Sequence, residues 1–298
     1  MKIDYIVHYL DPTKSEWMDL YYKYSKENHL SKIEKINRFD FNPLFKFQFR
    51  GIEKYMPWIN KIHLIVQSED QIPDWINRNN VNVVFHKDFI PQEYLPTFNS
   101  CTIECFLHKI PELEEHFLYS NDDCYIFKNC DIKDFFTEDG YPRNMYRIAR
   151  NSGDLYTKYN HFMNDILIKD FPEYKLENIK RFYVPEHCIT VFNKSYYQEA
   201  FEKYKNIILN NIYRFRSKRN ISQYFFNLYF IFKTKSKYTR KEYGSLYRMW
   251  DNSGWEIISK MQRISHIKII CLNNKSKFTA LILEIMKKYL PFKSKYEI

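Results

Sequence analysis

Two hydrophobic rhythms alternate along this chain. Ile3 to Leu10 alternates apolar with polar and is rich in β-formers, which predicts a first strand. From Ser15 to Ile36 the period turns helical, with Ser15 as cap and Glu16 in the first turn. Leu44 to Tyr55 predicts a second helix, closed by Pro57, and Lys61 to Val66 a strand. Gln71 to Trp75 reads as a turn leading into a short helical piece, and Val81 to His86 as another strand. Asn99 to Ile110 predicts a helix capped by Asn99 or Ser100. Ile103, Phe106, Leu107 and Ile110 form its buried stripe, with Glu104 and His108 flanking it. Two short apolar runs, Phe117 to Ser120 and Cys124 to Phe127, bracket Asn121-Asp122-Asp123. The stretch 130–185 reads as irregular. Tyr196 to Leu209 and Ile221 to Phe232 predict helices, His266 to Cys271 a strand, and Lys275 to Tyr289 a closing helix.

Strands alternating with helices predict an α/β fold with a mostly parallel sheet and flanking helices. Without an internal repeat or low-complexity linker, residues 1–298 read as one domain. Residues 1–130 form the α/β half. Residues 131–298 form a helical portion with a basic segment and a closing strand and helix. Open sheets of this kind bind ligands beyond the carboxyl ends of their strands, where Asp122 and Asp123 fall.

Composition narrows the chemistry. Hydrophobic residues are 45% of the 298 and aromatics 19%, enough for a sizeable core without staples. The six cysteines form no CxxC pair and read as reduced thiols of a cytoplasmic protein. Cys101, Cys105 and His108 share one helical face, but with no fourth ligand they read as core. With five glycines, no dinucleotide or P-loop fingerprint can be assembled. The N-terminus has no signal-peptide pattern, and no run reaches the ~18 apolar residues of a membrane span. Net charge is +10, and from Lys203 to Arg248 twelve Lys/Arg face one acid, Glu242. Such a block suits phosphates, nucleic acid or the anionic inner face of a membrane. The aromatic helix Ile221 to Phe232, followed by Lys233, Lys235 and Lys237, reads either as a membrane-docking element or as a core helix with a solvated tail.

Paired carboxylates at a strand end form a hard oxygen site suited to Mg2+ or Mn2+. Glu104, nineteen residues before Asp123, joins them if its helix packs back on the strand. Taken alone, Asp122-Asp123 is as readily a solvated turn, Glu104 an exposed helix residue, His187 a structural histidine and Arg216 a solvated cation.

Four stretches alter that balance. The first is Ile3 to Asp11. The second comprises Phe49-Arg-Gly-Ile-Glu-Lys-Tyr-Met-Pro-Trp-Ile-Asn-Lys-Ile-His63, Gln71 to Trp75, His86 to Pro91, Leu95-Pro-Thr-Phe-Asn-Ser100, Ile103-Glu104, Leu107 to Pro111 and Asn121-Asp-Asp123. The third is Pro185-Glu-His187 with Phe215-Arg-Ser217 and Asn220-Ile-Ser-Gln223. The fourth is Ile270 to Asn273 with Pro291 to Glu297. In this order they resemble the four blocks of the Stealth family of sugar-1-phosphate transferases. That family includes bacterial capsular polysaccharide phosphotransferases and the lysosomal N-acetylglucosamine-1-phosphotransferase. The chain departs from the family pattern at Leu10-Asp-Pro-Thr-Lys14, Arg38-Phe-Asp-Phe41, Asn220 and Asn273-Asn274.

The resemblance implies a GT-A-like, nucleotide-diphosphosugar-binding fold with a helical insertion in its second half. It also implies transfer of sugar-1-phosphate from a UDP-hexose or UDP-N-acetylhexosamine to a polysaccharide or lipid-linked oligosaccharide, with release of UMP. Under it, Glu104, Asp123, His187 and Arg216 are catalytic, and Asp122, Asp123 and Glu104 hold Mg2+ or Mn2+. Asp4, Asp11, Arg50, Asn99, His108 and Asn220 contact substrate. Two roles stay open for His187, proton acceptor or phosphate ligand, and two for Arg50, phosphate contact or brace. The opening turn of the helix after Asn220 is a further place for an anion. The rival readings are a metal-dependent glycosyltransferase with the same donor and a basic nucleic-acid-binding module, which the carboxylates disfavour.

Overall fold

The structure is a computed structural model that describes residues 1–27, 39, 41–236, 246–249, 268–272 and 279–298. Its strands are β1 (Ile3–His8), β2 (Ile62–Val66), β3 (Asn82–Phe85), β4 (His116–Asn121), β5 (Cys124–Ile126), β6 (Tyr146–Arg150), β7 (Arg181–Pro185), β8 (Thr190–Asn193), β9 (Leu246–Met249) and β10 (Ile269–Leu272). The helices that position the candidate residues are α1 (Ser15–Glu27), α2 (Phe45–Tyr55), α3 (Ser100–Glu104), α4 (Leu155–Leu167), α5 (Lys194–Lys203), α6 (Gln223–Thr234) and α7 (Thr279–Tyr289).

A five-stranded sheet runs in the order β3-β2-β1-β4-β8. β1 pairs parallel with β2, Tyr5 opposite Ile62, and β2 parallel with β3, while β4 and β8 are antiparallel. β1 and β2 are buried along almost their whole length, which is why they read as near-continuous apolar runs. The fold is thus α/β with a mostly parallel central sheet and flanking helices. The chain divides into two compact units: Met1–Asp4, His86–Tyr119 and Asp131–Gly244 form one, and Tyr5–Phe85, Ser120–Cys130 and Ser245–Ile298 the other.

The second unit adds a sheet β5-β10-β9, with β10 antiparallel to β5 and parallel to β9. Its core packs Leu44, just before α2, and Phe47 of α2 with Tyr125, Ile270, Leu272, Ile282 and Met286. Gly51 lets α2 press on β5, because a Cβ there would sit 2.7 Å from the Ile126 carbonyl oxygen. The expected helical piece after Trp75 does not form. Ile76 bridges to Glu297 instead, and the Asn77 amide donates to the Tyr296 carbonyl at 2.8 Å.

In the first unit, the antiparallel ribbon β6-β7 and helix α4 fill the stretch 130–185 that was expected to be irregular. An asparagine ties the helix to the ribbon there. Asn164 on α4 exchanges two hydrogen bonds, both 2.8 Å, with the Tyr183 backbone. The helix expected over Asn99 to Ile110 stops at Glu104 and resumes as a 3-10 turn at Leu107–Lys109. Beyond Glu104 its carbonyl accepts the Tyr197 hydroxyl instead of an amide four residues on, and the Cys105 thiol donates to the Ile221 carbonyl. The helix expected over Tyr196 to Leu209 breaks at Tyr204, whose hydroxyl donates to Asp170 at 2.6 Å.

From Gln223 to Phe232, α6 is buried all round. It is a core helix, which removes the membrane-docking alternative for its aromatics. Lys233 is held by both Glu199 oxygens, and Lys237 lies outside the described residues. The parts of the expected elements at 28–36, 266–267 and 275–278 also lie outside them. All six cysteines are buried thiols outside any disulfide. Among the described residues, no helix is long and apolar enough to cross a membrane.

Candidate active site

In the first unit the organising residue is Glu104, the last residue of α3. It is 5% exposed. One carboxylate oxygen accepts the Gln223 amide at 3.1 Å and the other the Tyr119 hydroxyl at 3.3 Å. Gln223 opens α6, and the Ser222 hydroxyl caps that helix by accepting the Tyr224 amide. The positive end of α6 is therefore already facing a protein carboxylate. The anion expected at this turn is Glu104 itself, and Asn220 sits behind it, its Oδ1 accepting the Ser217 amide at 2.6 Å.

Burial raises the Glu104 pKa to about 7. The Gln223 amide, the charge of Arg216, the Tyr119 hydroxyl and the charge of His187 pull it back down. Arg216 and His187 therefore both act on this carboxyl. Arg216 keeps solvent-exposed surface and donates to the Ser100 hydroxyl at 2.9 Å. Burial lowers the guanidinium pKa, but Cys101, Tyr159, Glu104 and Tyr119 outweigh that and raise it, so it stays cationic. His187 follows β7 and places its Nδ1 2.7 Å from the Tyr224 hydroxyl.

Asn99 is fully buried and caps α3. Its Nδ2 donates to the carbonyls of Tyr213, at 2.9 Å, and Phe215, at 3.2 Å. It thus fastens the Arg216 loop to the helix that carries Glu104. Its side chain works on the protein, which leaves the expected substrate contact without support in the geometry. His108 is likewise buried, stacked on Tyr197 and tilted against Phe201. Burial first, then Lys109 and Lys194, lower its pKa to about 3. It is a neutral packing histidine at any working pH. Asp4 is fully buried and accepts the Glu114 amide at 3.0 Å.

The second unit holds the carboxylate pair. Asp122 and Asp123 occupy the turn between β4 and β5 and are half-buried. The Asn42 amide fixes Asp122 through its carbonyl at 2.5 Å and its Oδ2 at 3.0 Å. The Asp123 carbonyl accepts the Leu272 amide at 2.8 Å, which ties the turn to β10 through the backbone. Asn121 accepts from Gln48 through its carbonyl at 3.2 Å. Asp11 closes the turn after β1, accepting the Thr13 amide at 2.9 Å and the Thr13 hydroxyl at 2.6 Å. Burial and the charges of Asp11, Asp122 and Asp74 together push the Tyr9 pKa up, which gathers three carboxylates around one phenol.

Arg50 resolves its two sequence-level roles toward bracing. Its Nε and Nη2 each meet a Glu297 oxygen at 2.8 Å, and Nη1 donates to the Leu290 carbonyl at 2.9 Å. Three residues of this geometry carry no signal in the sequence that singles them out: Asn42, Tyr119 and Tyr224. Asn42 and Tyr119 sit in ordinary polar and apolar contexts that give no signal. Tyr224 was read only as one aromatic of a greasy helix.

Comparison with known proteins bears on this geometry. Residues 38–144 match the family description "Stealth protein CR2, conserved region 2". The receptor polysaccharide phosphotransferase WefC of Streptococcus gordonii is 27% identical over 337 aligned residues, covering 100% of this chain and 99% of WefC. The exopolysaccharide phosphotransferase cps2G of Lactiplantibacillus plantarum is 35% identical over 144 residues, covering 48% of this chain and 41% of that protein. Among solved structures, mouse xyloside xylosyltransferase 1 superposes with a TM-score of 0.43 at 10% identity, over 93% of this chain and 99% of that one.

Proposed function

We propose that this chain, which belongs to the Stealth family and is a phosphotransferase, transfers sugar-1-phosphate from a nucleotide-diphosphosugar to a hydroxyl of a capsular or exopolysaccharide chain. The donor class we assign is a UDP-hexose or UDP-N-acetylhexosamine. The acceptor oxygen attacks the phosphorus that bears the sugar, forming one P–O bond. The bridging P–O bond to the second phosphorus breaks, and UMP leaves. The acceptor proton must go to a base.

The observation that carries this reading is the buried Glu104 carboxyl with Arg216 and His187 acting on it. A carboxyl with a pKa of about 7 is matched to taking a proton at neutral pH. Arg216 supplies a permanent cation with a planar fork suited to phosphoryl oxygens. Both Glu104 oxygens already accept protein donors, so we assign Glu104 to proton transfer and leave it out of the metal's ligand set.

Asp122 and Asp123 offer oxygen donors alone and are half-buried, with Asp122 fixed by Asn42, a donor set that fits Mg2+ or Mn2+. Bound there, the ion would neutralise the charge of the pyrophosphate. Arg50, Asn99 and His108 receive structural roles in this account. Asp4, Asp11 and Asn220 are buried and accept protein amides, so they too receive structural roles in this account. Location at the inner face of the membrane is proposed on the acceptor's chemistry alone.

The test is a panel of nucleotide sugars with Mg2+ and oligosaccharide acceptor, followed by nucleotide analysis. UMP formed together with a phosphodiester product supports the reading. UDP formed with a glycosidic product replaces it with glycosyl transfer.

A further inference from the structure

The ribbon β6-β7 of the first unit has two unlike faces. Residues directly opposite in an antiparallel pair share a face, and the face alternates along each strand. Phe182 and Val184 fall on one face, opposite Ala149 and Arg147. Both are buried, and Phe182 meets His161 of α4 edge-on. The other face carries Tyr146, Ile148 and Arg150 from β6 with Pro185, Tyr183 and Arg181 from β7. Tyr146 and Tyr183 are half-buried against each other, whereas Ile148, Arg150 and Arg181 are exposed. Tyr174, half-buried beside Tyr183, stacks on Phe232 at 4.0 Å and extends the aromatic surface. Lys180, also exposed, continues the ribbon, its carbonyl accepting the Asn151 amide at 2.8 Å.

Arg150 and Arg181 stand directly opposite one another, and like charges in that arrangement repel. Arg147, on the other face, meets Glu186 at 3.8 Å, but among the described residues neither Arg150 nor Arg181 pairs with a carboxylate. An anion set between the two guanidinium groups removes their repulsion and gains two planar forks of donors. The tyrosines and Ile148 beside them offer apolar surface, and the phenols add a polar tip, a mixture suited to sugar rings. We propose that this face binds the glycan, in the form of a chain that already carries phosphodiesters. This rests on the proposed transfer reaction. Each round adds one phosphodiester and with it one negative charge, so the enzyme's own product is the anion that its activity brings to the protein. A neutral glycan gives the two opposed arginines nothing to pair with. Sugar alternating with phosphate matches tyrosine surface alternating with cations.

Fluorescence anisotropy of the full chain with a labelled, phosphodiester-linked oligosaccharide reads binding without turnover. The competitors are the same sugars joined by glycosidic bonds alone, an oligonucleotide of equal charge, and vesicles containing phosphatidylglycerol. The phosphodiester glycan is expected to bind, more weakly as salt is raised, and each competitor to bind at least about 10-fold less well. R150Q/R181Q is expected to weaken binding about 10-fold or more. Because that variant removes a repulsion, its urea midpoint is expected to hold or rise, which separates lost binding from lost fold. In turnover it should raise the KM for a phosphodiester-bearing acceptor and leave kcat and the donor KM within about 2-fold. No binding of the phosphodiester glycan, equal binding of the neutral one, unchanged affinity in R150Q/R181Q, or tighter binding of the oligonucleotide or vesicles overturns the proposal. If UDP is released in place of UMP, the reaction assignment fails by itself, while the anisotropy still decides what the ribbon binds.

Discussion

Glu104 is an acid whose surroundings pull in opposite directions. Burial favours the neutral form, while the Gln223 amide, Arg216, the Tyr119 hydroxyl and His187 favour the charged one, and the outcome is a pKa of about 7 against 4.5. An acid raised on folding keeps a proton in the native state that the unfolded chain has already released. Native stability therefore falls as pH climbs from about 4.5 to about 7, by up to about 3 kcal/mol, and the loss is complete above that window. Glu104→Gln cannot ionise. Its urea stability relative to the unsubstituted protein should rise between pH 5 and pH 8, and a pH-independent difference would reject the shifted carboxyl. In the proposed role Glu104 must be deprotonated to act as base, so kcat should increase through about pH 7. Glu104→Gln should abolish that limb and cost about 10²-fold or more. The residue was legible as a candidate from its place in a motif, but its burial was not. The groups that enclose it, Tyr119 and Gln223, lie 15 and 119 positions away, and no local period reports them.

At the scale of elements, helix α2 shows how two of its residues serve packing. A methyl at Gly51 would meet the Ile126 carbonyl at 2.7 Å, a backbone atom with little room to move. Gly51→Ala should therefore cost about 1–3 kcal/mol by overpacking, read by chemical denaturation. At the adjacent position, the pair Arg50–Glu297 is nearly sealed from solvent, at 10% and 3% side-chain exposure. Arg50→Ala leaves a buried carboxylate without its partner and should cost about 3–5 kcal/mol, with unchanged turnover per folded molecule. Arg50→Met with Glu297→Leu should recover most of that loss, and a selective rise in donor KM in either variant would instead restore Arg50 to the substrate site. The apolar runs and parallel strands of this region were readable from sequence because a buried strand repeats simple chemistry. The piece after Trp75 was not, since its structure comes from pairing with Glu297 and Tyr296 more than two hundred residues on. Helix α3 was overextended for the same kind of reason: a tyrosine hydroxyl from α5 takes its last carbonyl.

Over the whole molecule, the similarity to WefC extends along 100% of this chain and 99% of WefC. The fold class and the order of the motifs were legible because both are written in contiguous residues. The roles of Asn99, His108 and Arg50 were not, because each depends on where a side chain's donors end up. The metal assignment makes a molecule-wide demand. Asp123→Asn should retain the fold, since its backbone carbonyl ties the turn to β10 and an amide nearly matches the carboxylate in size, yet lose turnover by about 10²-fold or more. Chelation with EDTA should silence the unsubstituted enzyme reversibly, and full activity in either experiment would remove Asp123 from the metal.

The central claim is the bond that breaks, and nucleotide analysis of a single-turnover reaction tests it most directly. With a UDP-sugar, Mg2+ and acceptor, the account predicts UMP in equal amount to a phosphodiester-linked product. UDP accompanied by a glycoside would contradict it.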